Sequence, residues 1–409
     1  MLNRNFWLYT LGRFISQIGW AVQDVALPLY VLDQTKSGAM MSVFVMAELV
    51  PRLILNPIAG VVGDRYNRKA LMVWLDIARG ILLFSIIWLN LLDLKSLLIV
   101  QILMSILGTF FSAGISAMYP DLVEKEELAK ANSIIQSAGI VTRIAGPIMG
   151  GVLYAFGGIR LAILINAISF FGSGLFEMLI HYEWESRKIG NVGEVWEDLK
   201  EGLSFLKARK SISLLLIYAL ILNFLFNPIG AVVLPYLYRV QFGFSSTQFG
   251  SLETAFMVGM LLGNMLIMGK LGSRAENLLF KCLFGELILA GIMTLLASPY
   301  VRMETWQLYL SFVAVQVPFG ITNALVNVPI MTKLQKMVPS ELRGRVFSVF
   351  ALLAMGTTPL GMGIVGVAMK YLEAYQLMAV ATIGGVIITV YYMLNYATII
   401  IGEREGEPF

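Results

Sequence analysis

The sequence contains one cysteine, Cys282, and one histidine, His181, among 409 residues. A lone cysteine excludes an intramolecular disulfide and a cysteine-rich metal site. The lone histidine has no His or Cys neighbour with which to share an ion, so neither a metal nor a cofactor is expected. A Ser–His–Asp triad would have to recruit this same His181, and no G-x-S-x-G occurs, which leaves hydrolase chemistry without foundation. No G-x-x-x-x-G-K-S/T occurs either, so the chain is not by itself an ATP-driven pump. Charge is also scarce, at 14% of residues against about 25% in soluble proteins. The chain is not expected to be an enzyme. Its net charge of +4 comes from loop residues and does not point to nucleic acid.

What is abundant is apolar sequence, at 58% of the chain, with a mean hydropathy of +0.77. Residues 97–118 and 376–401 contain no Asp, Glu, Lys or Arg, and each can supply the roughly 20 residues that carry a helix across a bilayer. The first apolar stretch holds Arg13 and Asp24, runs to about residue 32 and lacks a small-x-small cleavage site. It reads as a first span and not as a signal peptide. Turns and charge clusters divide the chain into twelve spans: 6–32, 38–63, 70–92, 96–119, 129–156, 159–181, 212–240, 247–270, 277–298, 305–332, 343–370 and 374–401. The expected fold is an all-α membrane protein with two pseudo-symmetric six-helix bundles, 1–181 and 212–409. They are joined by a linker, 182–211, whose apolar residues at 195, 199, 203 and 206 predict an amphipathic helix lying on the membrane surface.

Of the 30 Lys and Arg, twenty fall on one side of this arrangement and six on the other. The positive-inside rule makes the crowded side, with both termini and the linker, cytoplasmic. The halves also resemble each other. Leu27-Pro28-Leu29 matches Leu234-Pro235-Tyr236 at an offset of 207, and Glu127-Leu128 matches Glu341-Leu342 at 214. A duplicated six-helix unit in one orientation produces such a pattern.

Between spans two and three stands Gly60-Val61-Val62-Gly63-Asp64-Arg65-Tyr66-Asn67-Arg68-Lys69. It resembles the major facilitator superfamily signature G-x-x-x-D-R-x-G-R-K/R, and length, span number and the six-plus-six division fit that family along the whole chain. Asn67 replaces the usual glycine, and Asn is the residue after glycine best able to turn left-handed. The resemblance implies alternating access, with Gly60, Asp64, Arg65, Arg68 and Asp121 forming a cytoplasmic gate. In it Asp64 meets the N-terminus of span eleven and Arg68 pairs with Asp121. The plainer reading makes the basic residues topology markers only. Span five carries Gly139 and then Gly146-Pro147-Ile148-Met149-Gly150-Gly151. This looks like the antiporter motif of exporters in the superfamily, although small residues on one face also serve close helix packing. Pro339–Val346 resembles the branch of macrolide-efflux and enterobactin-export proteins.

Ionisable groups at membrane depth mark pathways or relays by default. Arg13, Gln17, Trp20 and Asp24 fall on one face of span one, which must meet a partner helix or a water-filled cavity. Asn223 and Asn227 in span seven, and Gln316, Asn323 and Asn327 in span ten, form similar stripes, and Arg143 in span five is a further contact. These ten residues are the expected substrate cavity, amide-rich and suited to an amphipathic organic compound. Glu48–Arg52 and Asp76–Arg79 have pairing distances along a helix and are expected to be structural. Asp24, then Glu48 and Glu253, are the candidates for proton coupling. The expected function is proton-coupled efflux of an amphipathic or lipophilic compound, drug or siderophore, by a monomer in the cytoplasmic membrane of a bacterium. The alternatives are an importer or lysophospholipid flippase of the same fold, or a membrane receptor or assembly factor that transports nothing.

Overall fold

The computed structural model describes residues 2–124, 127–182, 192–268, 279–339 and 342–402, and among these all regular structure is helical. In chain order the helices are α1 (Arg4–Thr35), α2 (Gly38–Arg65), α3 (Arg68–Trp88), α4 (Leu94–Met118), α5 (Leu128–Met178) and α6 (Val192–Ala208). They continue as α7 (Lys210–Gln241), α8 (Ser246–Leu266), α9 (Leu279–Ala297), α10 (Thr305–Met337), α11 (Arg343–Ala368) and α12 (Ala374–Gly402).

Ten of these are long and apolar enough to cross a bilayer. α5, at 51 residues, is two spans in one: Gly158, at φ 59° and ψ −159°, turns the chain between them. Only glycine adopts that conformation without strain. α1 is not among the ten, in keeping with the Arg13, Gln17, Gln23 and Asp24 it carries. With α1 included and α5 divided, the chain has the twelve spans its hydropathy predicts. The far end of α7 winds as π-helix over Ile229–Val233 and Leu237–Gln241, on both sides of Pro235.

The helix ends follow from local side-chain chemistry. Asn3 and Asn67 accept from the backbone N–H of Phe6 and Ala70, capping α1 and α3. Asp93 accepts from the N–H of Lys95 and Ser96 at the start of α4. Ser245 with Gln248 and Glu304 with Gln307 form reciprocal capping boxes at α8 and α10, each of which satisfies donors that a helix start otherwise leaves orphaned.

The chain forms two compact units. The first comprises Met1–Lys36, Val43–Val195 and Ser245–Thr254; the second comprises Ser37–Ser42, Trp196–Phe244 and Ala255–Phe409. In the first, a core of Val22, Ala26, Leu83, Met104, Ile163 and Phe170 joins α1, α3, α4 and α5. In the second, Leu215, Tyr218, Leu283, Leu334, Val346 and Tyr392 belong to one core. The linker forms the predicted amphipathic helix, α6, and part of its apolar face packs on protein, while Leu203 is exposed and the side chain of Val195 lies outside the described residues. Leu199, Phe205 and Leu206 join the core that contains Val338, Val346 and Val349. Gly202 lies so close to the carbonyl of Arg345 that a Cβ there would stand 2.7 Å from it, and Glu201 pairs with Arg345.

Candidate functional site

In the first unit a polar cluster stands at the cytoplasmic ends of α3 and α4. Arg68 Nη1 lies 2.8 Å from Asp121 Oδ2, and the Tyr182 hydroxyl donates to the same oxygen at 2.9 Å. Partial burial, together with the Asp121 carboxylate, pushes the Tyr182 phenol above its usual range. Gly60 has open space where a side chain would be. The side chains of Asp64 and Arg65 fall outside the described residues, as do Ser340 and Glu341 of the branch-like segment.

The glycine motif of α5 is a packing seam. A Cβ on Gly146 would strike Ala21. On Gly150 it would come within 2.8 Å of Val25 and 3.0 Å of the Val22 carbonyl. Gly151 faces the Ser246 carbonyl, and Gly250 of α8 faces that of Pro147. Thr254 fixes the seam by donating to the Ile144 carbonyl at 2.9 Å. Gly139 meets nothing within 4 Å.

Along α1 the polar stripe divides. Arg13 donates to the Tyr9 hydroxyl at 3.2 Å, Gln17 is half-buried, and Trp20 meets the edge of Phe170. Asp24 is exposed between buried Gln23 and Val25, within electrostatic range of Glu48. Glu48 is half-buried and accepts from Gln101 at 3.3 Å, and it senses the charge of Arg52. Arg143 is exposed on α5, and Glu253 is half-buried on α8. Gln23, which the sequence reading passed over, accepts from Asn166 at 2.7 Å in the core.

In the second unit the structure brings four of the predicted amides together. Asn223, Asn227, Asn323 and Asn327 line a cavity of about 280 Å³ whose apolar walls include Phe226, Leu287, Ile330 and Phe350. Gln316 does not join them: it is buried, and its amide donates to the Tyr238 hydroxyl at 2.8 Å. The cavity also contains a carboxylate that lies outside the predicted stripes, Glu286 of α9. Asn327 Nδ2 donates to Asn323 Oδ1 at 3.1 Å, and Asn323 Nδ2 donates to Glu286 Oε1 at 2.9 Å. Asn323 thus bonds the acid directly, and Asn327 bonds Asn323. Glu286 is the one acidic residue in span nine, and that isolation was the available signal.

Known proteins resemble this chain along most of its length. A family profile described as Major Facilitator Superfamily matches residues 9–362. Macrolide efflux protein A of Streptococcus pyogenes is 23% identical over 365 residues, 87% of each chain. The putative bacilysin exporter BacE of Bacillus subtilis is 24% identical over 305 residues, 73% of this chain and 72% of its own. Among solved structures, a bacterial homologue of the iron transporter ferroportin superposes with a TM-score of 0.75 at 17% identity, covering 96% of this chain and 99% of its own. The nucleoside transporter NupG does so at 0.71 and 14%, covering 95% and 98%. At these identities the structural likeness speaks for the fold alone.

Proposed function

Because the chain belongs to the major facilitator superfamily, and is thus a multi-pass membrane transporter and not an enzyme, we propose that it exports a small amphipathic organic compound from the cytoplasm in exchange for protons. Alternating access of a monomer in the cytoplasmic membrane is the mechanism, and Asp24 is the first proton carrier.

The observation that carries the coupling is Asp24 itself. It is a carboxylate in the middle of a 32-residue helix, exposed between buried neighbours and facing a second acid, Glu48. An ionised side chain is expensive at that depth unless it meets water or a proton. Two carboxylates within electrostatic range repel when both are ionised, a repulsion that an arriving proton relieves. Glu253 is the further candidate for the relay, and Arg143 is a cation available to either acid or substrate. Export is favoured by the glycine seam of α5, which resembles that of antiporters, and by relatives that are named as exporters. The gate reading of Arg68 and Asp121 rests on their ion pair at the cytoplasmic end of α3.

Everted vesicles test the proposal. A proton gradient should drive accumulation of exported compounds, and Asp24→Asn should abolish that accumulation while the protein stays folded. Accumulation that persists after the gradient is collapsed removes antiport. Unchanged transport by Asp24→Asn removes this residue from the role.

A further inference from the structure

We infer that the cavity of the second unit lined by α7, α9, α10, α11 and α12 binds a protonated organic amine with Glu286 as its counter-ion. The inference rests on the transport reading only in taking the occupant to be a cargo molecule.

The internal repeat supplies the first argument. Pairs of matching residues in the two halves stand 207 and 214 positions apart, and Glu286 stands 210 positions after Asp76. The two acids also lie at corresponding depths, nine residues into α3 (Arg68–Trp88) and eight into α9 (Leu279–Ala297). In the first unit the acid has a resident cation, since Arg79, one turn on, pairs with Asp76. Its guanidinium stacks 4.1 Å from the ring centre of Phe111 and 4.4 Å from that of Phe170. In the second unit the position one turn after Glu286 is Leu289. The acid has been kept and its built-in cation has not.

The cavity itself supplies the second. Among the described residues that line it, none is Lys or Arg, and Glu286 is the one charged group. Asn323 satisfies one carboxylate oxygen, but an amide donor does not neutralise the charge. Glu286 is half-buried, and a carboxylate partly withdrawn from water among apolar walls is stabilised by a cation. The walls suit a cation with an apolar body, since the aromatic rings of Phe226 and Phe350 are among them. The side-chain oxygens of Asn227 and Asn327, whose amide nitrogens donate elsewhere, are acceptors for an ammonium N–H. A phosphate-bearing lipid headgroup would bring its own negative charge to a cavity with no base to receive it, so the chemistry selects a free amine. A volume of about 280 Å³ lies near the lower limit of small-ligand pockets.

The test is a fluorescence titration of the full-length protein in detergent at pH 7 with dansylcadaverine, which carries a primary ammonium, and with its uncharged N-acetyl derivative. The wild type should bind the amine at least about tenfold more tightly than the acetylated form, the ratio that about 1.4 kcal/mol of charge recognition produces. Glu286→Gln should erase that preference and leave the acetylated probe's affinity in place. Leu289→Arg, which installs the counterpart of Arg79, should also suppress amine binding, and it keeps the test decisive if Glu286→Gln does not fold. Equal affinity for the two probes in the wild type, or an intact amine preference in folded Glu286→Gln, overturns the inference. The outcome is separable from that of the transport proposal. Amine preference without proton-driven accumulation in vesicles would leave the site standing and the antiport reading fallen, and proton-driven accumulation without amine preference would do the opposite.

Discussion

Asp76 and Arg79, one turn apart on α3, form an ion pair whose members are 0% and 4% exposed, and Glu177 of α5, also 0% exposed, completes a buried triad. Ser173 donates to Glu177 at 3.2 Å. The guanidinium holds α3 to α5 by facing both carboxylates, and the rings of Phe111 and Phe170 stack against it. Two acids face one base, so the triad carries one acid more than its guanidinium can pair.

Removing the base should therefore be far worse than removing an acid. Arg79→Leu strands two buried acids and is expected to cost about 3–5 kcal/mol, read as a large fall in thermal midpoint in detergent. Glu177→Gln relieves the excess charge and should stay within about 1 kcal/mol of wild type. Equal losses in the two variants would contradict the charge count.

The α5 seam predicts a graded response to added volume. Gly150→Leu must push the side chain of Val25 and the backbone at Val22 aside, and overpacking of this kind costs about 1–3 kcal/mol. Gly139→Ala fills open space and should be neutral or stabilising by up to about 1 kcal/mol through helix propensity. Thermal denaturation of the two variants side by side checks the contrast. Similar losses at both positions would mean that the motif owes its glycines to something other than close approach.

The sequence disclosed most of the architecture because the hydrocarbon interior imposes a strict length and apolarity on each span, and charged loops mark where spans end. The turn at Gly158 follows from a Gly-Gly pair between two apolar runs. The amphipathic linker helix was legible from its period, but what its apolar face covers was not, since membrane and protein offer the same solvent to Leu199 and Leu206. Helical spacing grouped Asn323 with Asn327 and, wrongly for the cavity, with Gln316. A stripe shows which residues share a face but not where along the helix one neighbour ends and another begins. Glu286 escaped because its partners lie on other helices, and no spacing rule along α9 links it to Asn323.

At the rim of α4, acid should loosen a helix start. Asp93 accepts from the Ser96 hydroxyl at 2.6 Å and from two backbone N–H groups. These bonds, led by that of Ser96, hold its carboxyl below the usual range. The folded state thus favours the ionised form. Its stabilisation is present at and above the ordinary carboxylate pKa and is lost as pH falls through the lowered folded value, below about pH 4. Asp93→Asn should flatten the acid limb of a plot of thermal midpoint against pH. An unchanged limb would show that other carboxylates control it.

The polar cluster at the cytoplasmic ends of α3 and α4 has one acceptor and two donors, which makes its members interdependent. Arg68 and Tyr182 both bond Oδ2 of Asp121, and Arg68 is 8% exposed. Asp121→Asn removes the charge that both donors address, while Tyr182→Phe removes only the weaker, neutral bond. In a double-mutant cycle, Arg68→Ala with Asp121→Ala should show a coupling of about 0.5–3 kcal/mol, and Tyr182→Phe with Asp121→Ala a smaller one. The Tyr182 phenol should also titrate nearer its ordinary range once Asp121 is neutral, because its upward shift comes in part from that carboxylate. Coupling near zero between Arg68 and Asp121, with an unmoved Tyr182 titration, would reduce the cluster to a coincidence of surface charges and remove the physical basis for assigning it a gate.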